Sequence, residues 1–346
     1  MKSFIKLVSL LLIASFTLIA ISCNSGVDGD TETIADGLSE EESAEKKTEK
    51  KTEKKTEKAT RPIRDTEPPT MLEDTEGLEL NLRILTQNVR YADDPNNNSV
   101  AERKSRFKAL VDEYKPDLIG TQEVTLEWYE YLSAMENYEV VGKSKTGSTS
   151  GDPDWNLVIY NKDRFVLMDS DTFWLTDTPD VVSKVEGASG VRICTWAELF
   201  DRYTGETIIM ANTHIDHKKT DIRVTQAQFI LRHLRRRLAE RFDECRVYLT
   251  GDFNCIVDSS PYMTIERGKF VDSQKVALED ASTVNGTYHG YNGQEYMFDY
   301  CFFRGEDTVL HYEIVSKNYI GEMDTEPGFV SDHYGVFVVF ERKAAN

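Results

Sequence analysis

Six short stretches of this 346-residue chain set carboxylates, amides or imidazoles where apolar runs end. Asn88 closes one run and Glu123 another. Asn212-Thr213-His214-Ile215-Asp216 closes a third, and Thr250-Gly251-Asp252-Phe253-Asn254 a fourth. Asp299 sits inside Met297-Phe298-Asp299-Tyr300, and Ser331-Asp332-His333 directly precedes the last apolar run. Any one of these alone reads as a turn or cap, because Asp and Asn are common turn formers. Six in one chain read differently. Polar groups at the ends of buried strands are costly unless they are used, and loops held by a rigid sheet are where sites are built. Jointly the stretches offer three to five oxygen ligands and two imidazoles. Such a donor set suits a hard divalent cation, Mg²⁺ or Mn²⁺, and chemistry on phosphate.

The elements that must position these residues follow from periodicity. Leu82, Ile84 and Leu85 lead into Asn88-Val89 as a strand. Phe107, Leu110, Val111 and Tyr114 recur at helical spacing, and Pro116 stops that helix. Asp117–Glu123 reads as a buried strand ending in a carboxylate. A helix through Trp128 and Leu132 and a short strand at Tyr138–Val141 follow. Further strands are expected at Asn156–Tyr160, Phe165–Thr172, Arg192–Phe200, Thr207–Thr213 and Val247–Thr250, then near Met297–Phe303, Leu310–Lys317 and Gly335–Phe340. A long helix is expected from Asp221 to Phe242, and no repeat of fixed period is visible. Strands in runs with helices between some of them predict an α/β fold: two packed mixed β-sheets flanked by helices, a four-layer sandwich.

At this point the residues carry a resemblance. Thr86-Gln87-Asn88-Val89, Gly120-Thr121-Gln122-Glu123, the stretches around His214 and Asp252, Phe298-Asp299-Tyr300 and Ser331-Asp332-His333-Tyr334 occur in that order from about residue 80 to the end. In this the chain resembles the endonuclease/exonuclease/phosphatase superfamily. Phe173-Trp174-Leu175-Thr176 and Arg192-Ile193-Cys194-Thr195-Trp196 further resemble an uncharacterised secreted bacterial branch of it. The resemblance implies metal-dependent, in-line hydrolysis of a phosphoester. It implies Glu123, with Asn88 and Asp332, as metal ligands. His333 would be general base or phosphate contact, oriented by Asp299. Asp252 would position or deprotonate the attacking water, or protonate the leaving group. Asn254 would hold a phosphate oxygen, and His214 would donate to the scissile phosphate with Asp216 fixing its orientation. Some relatives carry an acidic residue where this chain has Arg90, so Arg90 is expected to meet substrate phosphate. Trp174 is a candidate substrate wall and His289, in Tyr288-His289-Gly290-Tyr291, a candidate substrate contact. His217 is expected only to be exposed, and Trp196 to be core.

Composition narrows the substrate. Net charge is −19, from 41 Lys+Arg against 60 Asp+Glu. Eleven basic and sixteen acidic side chains precede residue 79, so most of the excess belongs to the remainder. An acidic domain repels polyphosphate, which disfavours long duplex DNA. Arg232, Arg235, Arg236, Arg237 and Arg241 on the long helix read as its solvated face, opposite Phe229, Ile230, Leu234 and Leu238. The substrate classes left are nucleic acid in short pieces, nucleotides, lipid headgroups and sugar phosphates. A phosphomonoesterase or a sphingomyelin-type phosphodiesterase is the alternative to a nuclease-type phosphodiesterase, and a non-enzymatic surface binding protein would need a degenerate site.

The N-terminus carries an address. Lys2 and Lys6 precede an apolar run from Leu7 to Ile21, a secretory pattern, and Leu18-Ile19-Ala20-Ile21-Ser22-Cys23 resembles a bacterial lipoprotein box. The expectation is a signal peptide over 1–22, lipidation at Cys23, a charged tether over 23–78 and a catalytic domain over 79–346. The tether includes the Lys-Lys-Thr-Glu repeat from Lys46 to Lys58, which cannot bury a core. The protein would be a monomer held to a membrane of the cell envelope, at the outer surface or in the periplasm. Cys194, Cys255 and Cys301 sit in apolar runs and are expected buried and reduced.

Overall fold

A computed structural model describes residues 68–150 and 154–343. The signal peptide, Cys23 and the tether as far as residue 67 lie outside the described residues. In chain order the elements are β1 (Leu82–Asn88), α1 (Val100–Tyr114), β2 (Leu118–Val124), α2 (Leu126–Ser133), β3 (Tyr138–Val141), β4 (Trp155–Asn161), β5 (Phe165–Trp174), β6 (Ile193–Asp201) and β7 (Thr207–His214). They continue with α3 (Thr220–Leu238), α4 (Arg241–Glu244), β8 (Arg246–Asp252), α5 (Ser260–Arg267), β9 (Val271–Asp272), α6 (Ser273–Val276), β10 (Asp299–Arg304), β11 (Val309–Val315) and β12 (Gly335–Phe340).

The strands form two six-stranded sheets, ordered β11-β12-β1-β2-β4-β3 and β5-β6-β7-β8-β10-β9. Each sheet has one parallel pair, β1/β2 in the first and β7/β8 in the second; every other pairing is antiparallel. Parallel neighbours need a crossover, and α1 and α3 supply the two. Side chains alternate between the faces of a strand. Ile84, Leu118 and Val158 accordingly join the core shared by both sheets, while Leu85, Ile119 and Ile159 pack under α1 and α2. α3 and α5 cover the second sheet through Ile230, Leu234 and Ile265. The result is the expected four-layer sandwich.

Local chemistry sets the element ends. Ser99 and Glu102 form a reciprocal capping box at the start of α1, and Lys115 ends it in a left-handed conformation just before Pro116. The long helix is shorter than its periodicity predicts. It ends at Leu238, where Ala239 turns to φ 50°, and buried Phe242 belongs to the separate turn α4. Cys194, Cys255 and Cys301 are buried free thiols. Before β1 the chain is already tied to the domain, Leu72 N–H donating to Arg202 O over 2.8 Å. Among the described residues no helix is long and apolar enough to cross a membrane.

The two sheets approach each other closely where β2 of the first crosses β7 and β8 of the second. Gly120 of β2 faces the second sheet, and a Cβ there would lie 2.3 Å from Thr250 Oγ1. Beside it the Gln122 amide donates to Asn212 Oδ1 (2.7 Å), and the Asn212 amide donates to Thr121 O and Leu157 O (both 2.8 Å). These fully buried amides fasten the sheets to each other and fix their relative position.

Candidate active site

The carboxyl ends of both parallel pairs open on the same side. This is where ligands bind in sheets with parallel strands. β1 delivers Asn88, β2 Glu123, β7 His214 and β8 Asp252. Register aligns the second sheet's contribution: His214 and Asp252 are partners across β7/β8, and Asp252 and Asp299 across β8/β10. Glu123 stands where the β2/β4 register shifts, with φ 59°, and Asn254 has φ 46°. Such left-handed residues are uncommon outside glycine and cluster at functional sites.

The hydrogen bonds fix atom assignments. Arg90 N–H donates to Asn88 Oδ1 (3.0 Å), so the Asn88 amide nitrogen faces the site. There it donates to Glu123 Oε1 and Asp252 Oδ2, both at 3.1 Å. Asn88 thus clamps two carboxylates through its N–H groups, with its oxygen already engaged. Asn254 Nδ2 donates to Ile215 O (3.2 Å) and lies 3.0 Å from His214 Nε2, which must therefore accept. His214 is thereby a neutral ring protonated on Nδ1. Burial, then the charges of Arg192 and Lys145, hold its pKa well below the ordinary imidazole value.

His333 Nδ1 is 2.7 Å from Asp299 Oδ2, and its Nε2 is 3.8 Å from Asp252 Oδ2. Thr287 Oγ1 donates to the same Asp299 oxygen (2.6 Å), while Asp299 Oδ1 is buried without a partner. Burial opposes a charge on His333. The Asp299 carboxylate, by charge and hydrogen bond, with Asp252 and Asp332 beyond it, outweighs that and raises the imidazole pKa. Asp252 is pushed up by burial and then by neighbouring Asp299. Asp332 is likewise raised by burial, with Glu123 adding to it. Asp332 lies 3.6 Å from Arg90 Nε, and Arg90 also holds Asp94 (3.1 Å).

These residues surround a cavity of about 430 Å³ lined by Arg90, Glu123, His214, Asp252, Asn254, Asp332 and His333 among those expected from sequence. Asn88 and Asp299 stand directly behind it, bonded to the lining. Three expectations need correction. Trp174 is buried and donates its indole N–H to Lys145 O (2.9 Å); it supports the turn carrying Lys145 instead of walling the cavity. His289 is buried between Phe329 and Tyr334, and burial, then His333, lowers its pKa to about 4; it braces the Asp332 loop from behind. Asp216 accepts from Ser189, Lys218 N and Lys219 N. Those bonds overcome the cost of burial and hold its pKa at about 2, but none reaches His214, whose bonded neighbour is Asn254.

The cavity also has lining that sequence reasoning did not assign to a site: Tyr91, Lys145, Asp154, Arg192, His217, Tyr288 and Phe298. Tyr288 and Arg192 lay inside stretches already singled out. Lys145 and Asp154 flank a Gly/Ser loop that carries no chemical signature.

With this geometry in place, comparison decides the kinship. The model of the Endonuclease/Exonuclease/phosphatase family matches residues 85–333, well over half of the chain. The chain is a member of the endonuclease/exonuclease/phosphatase family. A mannosyl-6-phosphatase of Bacteroides thetaiotaomicron superposes with a TM-score of 0.68 at 25% identity, covering 75% of this chain and 100% of its own. An endonuclease/exonuclease/phosphatase of Bacteroides vulgatus gives 0.67 at 29% identity, over 77% and 100%. The RNA exonuclease NGL1 of Saccharomyces cerevisiae is 22% identical over 239 residues, 56% of this chain and 64% of the yeast protein. The chain thus spans under two thirds of that relative's length. Members of the endonuclease/exonuclease/phosphatase family are phosphoester hydrolases, so the neighbours agree on bond type and differ in substrate.

Proposed function

We propose that this family member is a divalent-metal-dependent phosphoester hydrolase that acts on small substrates at the cell envelope. The observation that carries the reading is the adjacency of two groups sharing Asp252: Glu123, His214 and Asp252, and Asp252, Asp299 and His333, each with its ligand atoms within 4.8 Å of one another. The donor set fits Mg²⁺ or Mn²⁺. It offers carboxylates on two strands, a neutral imidazole, and crowded carboxylates raised by burial and by one another. Glu123 would hold the ion, with Asp332 as the carboxylate coupled to it by charge, which leaves Asp252 for proton transfer. When bound, the ion supplies charge stabilisation at the phosphoryl oxygens.

The remaining steps belong to the chain. His333, held by Asp299, keeps a proton on Nε2 and presents it beside Asp252. Asp252 orients a water and takes its proton, or returns one to the leaving oxygen; its raised pKa suits either duty near neutral pH. Both N–H groups of Asn254 are engaged, on Ile215 O and His214 Nε2, so it would meet a phosphoryl oxygen by exchanging one of these bonds for it.

The helix arginines argue against long nucleic acid. Arg232 pairs with Asp177, Arg237 with Asp171 and Asp180, and Arg241 of α4 with Glu198, so much of this charge already has a carboxylate partner. The test is hydrolysis of bis-p-nitrophenyl phosphate, p-nitrophenyl phosphate, short single-stranded DNA, RNA and sphingomyelin by the full chain with Mg²⁺, Mn²⁺ or EDTA. Turnover lost in EDTA and in His333→Ala is expected; turnover unaffected by both would sink the reading.

Anchoring rests on sequence pattern alone. The segment ending in Cys23 would be cleaved before the cysteine and lipidated, tethering a monomer to the membrane. A Cys23→Ser chain is expected in the soluble fraction, and retention in the membrane fraction would refute the anchor.

A further inference from the structure

The cavity lining carries three cationic side chains, and their partners differ. Lys145 is ion-paired with Asp154. Arg90 is held by Asp94 and faces Asp332. Arg192 makes no ion pair among the described residues. Its protein hydrogen bond runs from Nη2 to His217 Nδ1 (3.2 Å), and its Nε is buried with no partner. Arginine has five N–H donors and no acceptor. A half-buried guanidinium with a dry Nε and a single neutral partner lacks an anion, since leaving buried donors unmade is costly. The same bond orients its partner. Because Arg192 can only donate, His217 Nδ1 accepts, and the imidazole presents Nε2–H as a further donor. The Ser189 hydroxyl, 3.2 Å from the same nitrogen, has its proton on Asp216.

An anion entering this cavity meets Glu123, Asp154, Asp252 and Asp332 on its lining. An uncompensated guanidinium therefore weighs heavily on which anion stays. Its attraction for a doubly charged group is about twice that for a singly charged one, and its planar fork matches two oxygens of one phosphate. A phosphate monoester, with a second pKa near 6, is mostly dianionic at neutral pH and leaves three oxygens free; a diester has one charge and two.

We propose that Arg192, oriented by His217, is the specificity-determining contact for a terminal phosphate and makes the enzyme prefer monoesters to diesters. The inference rests on the hydrolase reading for its activity arm and stands apart from it in a binding arm. In the activity arm, kcat/KM is measured for p-nitrophenyl phosphate, a hexose 6-phosphate, a nucleoside 5′-monophosphate and bis-p-nitrophenyl phosphate, with wild type, Arg192→Gln and Arg192→Lys. The expected result is a loss in Arg192→Gln about tenfold or more greater for the monoesters than for the diester, with Arg192→Lys between. The hexose and nucleoside arms separate sugar phosphate from nucleotide as the source of the group. Equal losses on both ester classes, or no loss, would overturn the proposal.

In the binding arm, calorimetry with inorganic phosphate is run on the same chains, with thermal melting as a check of fold. Roughly tenfold weaker phosphate binding in Arg192→Gln is expected. Should that variant melt, the comparison passes to Arg192→Lys, whose weaker binding supports the assignment and whose unchanged binding refutes it. If wild type hydrolyses nothing yet loses phosphate affinity on substitution, the hydrolase reading fails and the Arg192 assignment stands. Unchanged phosphate affinity overturns the assignment whatever the turnover.

Discussion

Buried charge is handled in two ways in this domain. In the scaffold it is matched. Arg106 and Asp324 are both almost fully buried and meet through two bonds of 2.6 and 2.5 Å. Arg164 is fully buried against Asp201 (2.7 Å) and Asp117 (3.1 Å), and also donates to Leu80 O and Asn81 O. At the cavity floor charge is mismatched. Asp252, Asp299 and Asp332 are as buried as those pairs, with Glu123 beside them, and they crowd one another around two imidazoles and an asparagine. Burial tolerates ionised groups only when they are paired or hold a metal. The scaffold's charges serve stability, and the floor's excess of carboxylates could hold a cation. The contrast separates matched from crowded polar residues on geometry alone.

Substitutions should separate the two kinds of charge by crossing their effects. The largest change is expected at the floor: His333→Ala or Asp252→Asn lowers kcat roughly 10²- to 10⁴-fold, while the thermal midpoint holds or rises. Steady-state kinetics beside calorimetric melting checks this, and a large fall in stability in Asp252→Asn would erase the distinction. Next is the scaffold. Asp324→Ala leaves Arg106 buried and unpaired, at a cost of about 3–5 kcal/mol in denaturant unfolding, with turnover per folded molecule retained.

Smaller is the response to metal. Mg²⁺ or Mn²⁺ at about a hundred times its Kd should stabilise wild type by about 2.7 kcal/mol. Glu123→Gln should lose most of that gain and Asp324→Ala none of it; equal gains in all three would remove Glu123 from the ligand set. The smallest is a pH effect on the scaffold. The Arg106 hydrogen bonds, the largest influence, hold the Asp324 pKa below its ordinary value of about 4. A depressed carboxylate stabilises above its unfolded pKa and loses that contribution as pH falls through its folded one. The stability gap between wild type and Asp324→Ala should therefore be full at neutral pH and narrow progressively below about pH 4. A gap that widened on acidification would reverse the sign.

The floor was legible in sequence and the wall was not, for physical reasons. Asn88, Glu123, His214, Asp252, Asp299 and His333 end or begin apolar strands, so periodicity marks their positions and the topology converges them. Lys145, Asp154 and His217 come from connecting segments, whose paths over the sheet ends no period encodes. Trp174 and His289 show the converse failure. Trp174 lies two residues before Thr176 and His289 in a Tyr/Gly turn, yet strand direction and loop packing turn them inward, Trp174 under Lys145 and His289 between two aromatic rings. The mistaken end of α3 belongs to the same class: Phe242 continues the apolar spacing, but a left-handed Ala239 has already broken the helix. Asn212 lay in a stretch read as chemical, and its amide is spent joining the sheets.

The place of β12 carries one more consequence. The last strand of the chain is an interior strand of the first sheet, between β11 and β1, and His333 stands two residues before it. No N-terminal portion of the domain can close that sheet, because β1 waits for a partner more than two hundred residues downstream. Contacts of such sequence separation form late. A fragment that lacks β12 therefore leaves β1 without one of its two neighbours and His333 without the strand that carries it to Asp299, so the cavity floor assembles only when the two ends of the domain meet.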